Sequence, residues 1–207
     1  ARQGIWYNKQ LYPEKGRSKK TLYRSEGSSG AIVDIGDKSQ FSKATPENPF
    51  TVYALEASID TMSSYELHRD KLSNCRLVAM NGLNKAIISR AIVEALCADV
   101  TNLKKIEEKV SVERWLQKID DLAGESGTKI EKLKIVLALD NDAPQFNPQL
   151  ARVEVPAKDF YHSLGINNID VIPHFPKCHE GMTKNDWNDE LKYQKGLLKE
   201  AEKSFSL

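Results

Sequence analysis

Residues 134–142 read KIVLALDND, a short apolar stretch that ends in two carboxylates. The run from Ile135 to Leu139 is mostly branched, which is typical of a strand buried on both faces of a parallel sheet. Asp140 and Asp142 follow with one residue between them, so in extended chain both point to the same side. They follow the strand's carboxyl end, the edge where open α/β sheets bind ligands.

Two anions about 4 Å apart repel each other by roughly 4 kcal/mol at an effective dielectric constant of about 20. A divalent cation would offset this repulsion between Asp140 and Asp142. The same pattern also fits an Asx-type turn in which one of the two carboxylates caps a following helix. Only further carboxylates at the same edge would favour the cation site over the Asx-type turn.

Strands and helices are predicted to alternate on both sides of this stretch. Apolar runs predict further strands at 51–55, 76–80 and 169–172. Helical spacing of apolar residues predicts helices at 58–69, with Ser58 as the N-cap, and at 85–97. This alternation predicts an α/β fold with a parallel sheet of about four strands flanked by helices.

The segment 147–164 has mixed helical character, and Gly165 follows it. Pro156 breaks or kinks a helix that runs through it, so two short helices are expected here. Gly165 is the expected C-cap of the second one.

The chain is predicted to have a basic leader, residues 1–30, and one compact domain, residues 31–207. The first 25 residues carry seven Lys or Arg residues against a single Glu, which suits either contact with a nucleic-acid backbone or a solvated leader. The leader is expected to contain at most one short strand, and Ala31 to Asp34 are expected to pair at a sheet edge. The charged stretch 98–131 predicts an inserted helix or helix pair packed on one face. Its apolar stripe consists of Leu103, Ile106, Val110, Trp115, Leu116, Ile119 and Leu122.

Composition excludes several classes of protein. Charged residues make up 29% of the chain and the net charge is +1, as in an ordinary soluble globular protein. No apolar run approaches the roughly 20 residues that a membrane span needs, and the first residues do not resemble a signal peptide. The three cysteines are far apart, which argues against a disulfide framework. A cytoplasmic protein without a membrane partner is therefore expected.

Acidic side chains follow predicted strands in three separate segments. These are Glu56 with Asp60, Asp140 with Asp142, and Asp186 with Asn188 and Asp189, the last group just before an expected final amphipathic helix. The carboxyl ends of parallel strands meet at one edge, so the three groups can meet in one crevice, although helix capping alone also accounts for Asp60. Hard oxygen ligands suit Mg²⁺, and such a site permits phosphoryl transfer or phosphodiester cleavage with Glu56 moving a proton.

The segments EASIDTMSSYEL (56–67), LDND (139–142) and KNDWNDEL (184–191) together resemble the Toprim domain. This domain is shared by bacterial-type primases, type IA and II topoisomerases and overcoming-lysogeny-defect nucleases. The order of the segments is more specific than any one of them, and it is most similar to the primase-like Toprim proteins of plasmids, conjugative elements and phages. The resemblance covers about residues 30–195.

The resemblance implies a Mg²⁺-dependent domain, with Mn²⁺ as a substitute, that processes nucleic acid, DNA rather than RNA. It implies primase-like nucleotidyl transfer or nuclease-like cleavage, with replication or mobilisation proteins as partners. Glu56 would be the catalytic acid or base. The implied metal ligands are Glu56, Asp140 and Asp142, with Asp60, Asp186 and Asn188 in supporting positions.

Two other interpretations remain open. Family members usually continue the Asp pair with Ala-Gly, whereas this chain has Ala143, Pro144 and Gln145. In the family the Lys and the Asp of the last segment are usually adjacent, whereas here Asn185 separates Lys184 from Asp186. Together with the long insertion, the Gln145 change favours a non-catalytic module that binds nucleic acid or a replication or defence partner. A phosphatase or receiver-like protein would need an Asp where Glu56 stands.

Overall fold

The computed structural model of the chain describes residues 4–7, 20–23, 30–36, 41–96, 112–142, 144–147, 152–180 and 184–205. The strands, in chain order, are β1 (Gly4–Tyr7), β2 (Lys20–Tyr23), β3 (Ala31–Ile35), β4 (Phe50–Leu55), β5 (Cys75–Ala79), β6 (Leu133–Leu137), β7 (Asn141–Asp142), β8 (Gln145–Asn147), β9 (Arg152–Glu154), β10 (Asp170–Pro173) and β11 (Lys184–Asn185). The helices are α1 (Ser58–His68), α2 (Lys85–Leu96), α3 (Val112–Glu125), α4 (Pro156–Leu164) and α5 (Trp187–Phe205).

The main sheet has five strands in the order β10-β6-β4-β5-β3, with helices packed against it. Neighbouring strands among β10, β6, β4 and β5 run parallel, and β3 pairs antiparallel with β5 at the edge. The predicted α/β fold with a parallel sheet is therefore confirmed, and so is the edge strand after the leader. The four parallel strands match the number expected, and β3 is the edge strand that makes five.

The core lies between the central strands and α2. Ile88 and Ile92 of α2 are fully buried with Val52 of β4 and Ile135 of β6. Their burial follows from helical spacing on one side and from apolar residues on both faces of the central strands on the other. This layer fixes where β4 and β6 end, and so where Glu56 and the carboxylates after β6 lie.

The predicted insertion is described only in part, because residues 97–111 lie outside the described ranges. Residues 112–125 form the single helix α3, which packs against α2. Leu116 is buried, and its backbone N–H donates to Ser89 Oγ at 3.1 Å. Leu122, expected on the apolar stripe, is 55% exposed, so the buried stripe is narrower than its sequence pattern indicated.

The prediction of two short helices in 147–164 is wrong. Strands β8 and β9 pair antiparallel there, and a single helix, α4, begins at Pro156. Proline fits the first turn of a helix because no intrahelical N–H donor is needed there and its φ is already helical. Pro156 therefore starts the helix instead of breaking it. Gly165 ends α4 in the left-handed conformation, as predicted.

Several smaller expectations also need correction. The leader contains two strands where at most one was expected, and β1 and β2 pair antiparallel with each other. Ser58 is not an N-cap, because α1 is capped by Ala57, whose methyl side chain cannot accept a hydrogen bond. Helix α5 begins at Trp187, so Asn188 and Asp189 lie in its first turn and not ahead of it.

Within the described ranges, no helix combines the length and the apolar character that crossing a membrane requires.

Candidate metal centre

Glu56 is placed directly after β4 by backbone hydrogen bonds to the turn that follows β5. The Met80 N–H donates to the Leu55 carbonyl and the Gly82 N–H to the Glu56 carbonyl, both at 2.8 Å. Gly82 has φ of 108°, which a residue with a Cβ adopts only with strain. Glu56 Oε1 accepts a hydrogen bond from the Asp140 N–H at 3.3 Å, so the end of β4 meets the segment after β6.

Asp140 and Asp142 are brought to Lys184 by a two-residue strand pair. Strand β7 runs antiparallel to β11, and Lys184 lies opposite Asp142 in this pair. Lys184 Nζ lies 2.8 Å from Asp142 Oδ1 and 3.4 Å from Asp140 Oδ2. Neither carboxylate caps a helix, because the next described helix begins only at Pro156. Among the described residues, the helix-capping role that the alternative interpretation gave to these carboxylates is therefore not found.

Trp187 holds the start of α5 against the end of the sheet. Its side chain is 2% exposed, and its indole Nε1–H donates to the Ala138 carbonyl at 3.0 Å. The ring centroid lies 5.3 Å from that of His68 and 4.9 Å from that of His174. Trp187 thereby sets the position of the segment that contains Lys184 and Asp186.

Asp186 has two relations within this arrangement. Its Oδ1 accepts a hydrogen bond from the Asp189 N–H at 2.7 Å, as expected of an N-cap residue. It also lies close enough to Asp60 and Asp140 for its charge to raise the pKa of both. The backbone N–H of Asn188 hydrogen-bonds to Asp60 and lowers its pKa. The contact of Asn188 with the acidic group is therefore made by its main chain.

Three of the gathered carboxyl groups have raised pKa values. Burial is the largest cause for Glu56, Asp60 and Asp140 alike, because it disfavours the charged form. Burial and the nearby charge of Asp140 raise the pKa of Glu56 to about 7 and that of Asp60 to about 6. The charged forms of these three groups are therefore energetically disfavoured at neutral pH.

Lys184 offsets only part of this negative charge. Burial lowers the pKa of Lys184, but its contacts with Asp142 and Asp140 outweigh burial and hold the pKa well above its ordinary value. Lys184 in turn lowers the pKa of Asp140 without cancelling the effect of burial, so the pKa of Asp140 stays raised. The site keeps an excess of carboxylates over cations.

The donor set fits a hard divalent cation. Asp60 Oδ1 and Asp140 Oδ1 are buried and, within the described residues, have no hydrogen-bond partner. Carboxylate oxygens left this way are costly unless a cation satisfies them, and Mg²⁺ and Mn²⁺ prefer such oxygens. Glu56, Asp140 and Asp142 would hold the ion, with Asp60 and Asp186 beside them.

As they stand, no three His, Cys, Asp or Glu side chains in the described part of the chain are arranged to hold a metal ion. The ammonium group of Lys184 already pairs with both Asp140 and Asp142. The Lys184 side chain is 55% exposed, so it has room to leave. Binding of a divalent cation to this pair is therefore expected to displace Lys184.

All six residues that the sequence analysis singled out lie at this edge. Glu56, Asp60, Asp140, Asp142 and Asp186 contribute their side chains, and Asn188 contributes its backbone. Sequence reasoning missed the role of Lys184, although Lys184 stands inside the KNDWNDEL segment. It also missed that Trp187 anchors this segment through Ala138. The signal available in the sequence was a tryptophan between acidic residues.

No family model, curated protein or solved structure is significantly similar to the chain.

Proposed function

We propose that this chain is a Mg²⁺-dependent, Toprim-like domain that makes or breaks phosphodiester bonds in nucleic acid, DNA rather than RNA. The reaction is nucleotidyl transfer, as in primases, or strand cleavage, as in nucleases, and Mn²⁺ substitutes for Mg²⁺. The observation that carries the proposal is the meeting of Glu56, Asp60, Asp140 and Asp186, which come from three separate segments. The pKa values of the first three are raised, and a bound cation would lower them.

The chain's own residues divide the work. The bound ion would neutralise negative charge that develops on a phosphoryl group. In the metal-free chain the pKa of Glu56 is about 7, and beside the bound ion Glu56 would be the carboxyl group that acts as general acid or base. Asp140 and Asp142 would hold the ion, and Lys184 would supply a nearby cation for a phosphate oxygen. Asp60 and Asp186 keep the local field negative.

The direct test is incubation of the full chain with labelled single-stranded and duplex DNA and RNA, with and without nucleoside triphosphates. Mg²⁺, Mn²⁺ and a chelator form the three arms. Metal-dependent extension or cleavage that the chelator abolishes supports the proposal. A chain that binds no Mg²⁺ or Mn²⁺ and changes no nucleic acid would overturn it.

Metal-free protein is expected to lose stability as the pH rises from about 5 to about 7. The pKa of Glu56 is raised from 4.5 to about 7 in the folded state, so the folded chain holds a proton that the unfolded chain has released. Stability from this group is therefore greatest below pH 4.5 and falls until about pH 7. After allowance for partial exposure, the loss is about 1 to 2 kcal/mol.

Thermal melting of wild type and Glu56→Gln from pH 5 to pH 8 measures this effect. The glutamine keeps an oxygen acceptor for the Asp140 N–H but carries no charge, so its curve is expected to fall less. Taking the difference cancels groups common to both proteins, such as His174, whose pKa burial lowers. Equal dependence of melting temperature on pH in the two proteins would show that the fold does not disfavour the charged form of Glu56.

A second candidate function is that of a non-catalytic module that binds nucleic acid or a replication or defence partner. The position of Lys184 favours this function. This lysine already serves as a built-in cation for Asp140 and Asp142. The discriminating experiment is a gel shift of DNA with and without metal, using the full chain and a chain that lacks residues 1–25. Metal-independent binding that is lost with the leader, together with absent turnover, would favour the module over the enzyme.

Lys184→Met is expected to bind Mg²⁺ about tenfold more tightly than wild type. It removes the charge that competes with the metal for Asp140 and Asp142, and a tenfold change corresponds to about 1.4 kcal/mol. Isothermal titration calorimetry at pH 8 measures it. Lys192→Met is the matched control, because Lys192 is 65% exposed and pairs with Asp189 on α5. Equal Mg²⁺ affinity in wild type and Lys184→Met would mean that Lys184 does not occupy the cation position.

A further inference from the structure

A cavity of about 300 Å³ adjoins the carboxylates on the side facing α4. Asp140 and Asp142 line one part of it, and Val155, Tyr161 and Phe175 line another. Its volume lies at the lower end of the roughly 300 to 1,000 Å³ that is usual for small-molecule sites. The cavity therefore joins the candidate metal centre to an apolar recess.

Two aromatic side chains in this recess face solvent. Tyr161 on α4 is 37% exposed and Phe175, shortly after β10, is 39% exposed. Exposed aromatic rings beside a cavity offer flat surfaces on which another flat group can stack. Lys158 also lines the cavity and is a source of positive charge there. One site thus combines stacking surfaces, a cation and a pair of carboxylates.

We infer that this cavity is a nucleobase-binding subsite, in which Tyr161 and Phe175 contact the base of a nucleotide whose phosphate lies towards Asp140 and Asp142. A nucleotide has both of the parts that the cavity separates, a flat base and an anionic phosphate. The phosphate would meet the carboxylates through a metal ion that they hold, and Lys158 lines the same cavity. The inference rests on the proposed function for this metal, but the base contacts belong to the cavity alone.

The base has two possible sources, a free nucleoside triphosphate or a nucleotide within a strand. ATP and a short oligodeoxythymidylate are therefore titrated separately against the full chain with Mn²⁺, by isothermal titration calorimetry. Inorganic tripolyphosphate is the probe without a base, and adenosine is the probe without a phosphate. Binding of Mn²⁺ alone is followed by its electron paramagnetic resonance signal.

Tyr161→Ala and Phe175→Ala are each expected to weaken binding of the base-containing ligand by about tenfold, in keeping with the loss of one stacking contact. Tripolyphosphate has no base to stack on these rings, so its binding should change less than about twofold. Tyr161→Phe keeps the ring and should bind like wild type. Tyr65→Ala is the matched control, because Tyr65 is 40% exposed on α1 and does not line the cavity. Circular dichroism checks that each variant is folded.

The outcomes separate this inference from the proposed function. If ATP, oligonucleotide and tripolyphosphate bind equally well and Tyr161→Ala changes nothing, the subsite is overturned while metal and phosphate binding stand. If Mn²⁺ does not bind but adenosine does, and Tyr161→Ala weakens it, the base site stands and the proposed function fails. A loss confined to ATP assigns the subsite to a free nucleotide, and a loss confined to the oligonucleotide assigns it to a strand.

Discussion

Asp140→Asn is expected to make the metal-free protein more stable at pH 8 and to abolish its response to Mg²⁺. Burial outweighs the Lys184 contact and keeps the pKa of Asp140 raised, so the fold favours a neutral group at this position. Asparagine supplies that neutral group with nearly the same shape. The same change removes the anion that lies between Glu56 and Lys184 in the candidate metal centre.

The expected sizes follow from linkage. A Mg²⁺ concentration 100 times the dissociation constant stabilises a folded protein by about 2.7 kcal/mol, which is roughly 5 to 10 °C in melting temperature for a chain of this size. Asp140→Asn should lose this shift entirely. Metal-dependent turnover, where wild type has it, should fall by at least about 100-fold, since even groups that only support metal ligands cost 10- to 100-fold.

Differential scanning fluorimetry with and without Mg²⁺ measures both signs in one experiment. Asp70→Asn is the matched control, because the Asp70 side chain is 96% exposed and should leave both values unchanged. A rise in stability together with a lost metal response excludes misfolding as the cause. An Asp140→Asn protein that keeps the full Mg²⁺ shift would show that the ion binds elsewhere, and the proposed site would have to be given up.

Trp187→Ala is expected to destabilise the protein by about 3 to 5 kcal/mol, the range for removing a large buried aromatic side chain. Trp187 is 2% exposed and packs on His68 and His174. Its indole N–H is also the partner of the Ala138 carbonyl, two residues before Asp140. The loss should therefore loosen α5 from the end of β6 and weaken Mg²⁺ binding as well.

Phenylalanine substitutions at two tryptophans separate packing from hydrogen bonding. Trp187→Phe keeps most of the ring packing but leaves the Ala138 carbonyl unpaired, which should cost about 1 to 3 kcal/mol. Trp115→Phe is the control, because Trp115 Nε1 is buried and has no hydrogen-bond partner among the described residues. That change should cost less than Trp187→Phe, because it removes ring atoms but no hydrogen bond. Chemical denaturation measures both, and equal losses would mean that the indole hydrogen bond contributes nothing.

Much of the fold could be predicted from local patterns. Apolar runs placed β4, β5, β6 and β10 within two residues of their observed bounds, and Gly165 ended α4 as its backbone freedom indicated. The errors fell where one pattern has two solutions. Pro156 ends a helix in one context and starts it in another. The residues before it form β8 and β9, which pair antiparallel.

The sequence by itself determined that acidic residues follow the strands and that those strands form a parallel α/β sheet, because both depend on neighbours within one turn or one strand. Only the tertiary structure decided the strand order, the antiparallel pairing that puts Lys184 opposite Asp142, and the contact of Trp187 with Ala138. Lys184 and Asp142 are far apart along the chain. Which distant residues meet depends on how the whole core packs, and no local spacing contains that information.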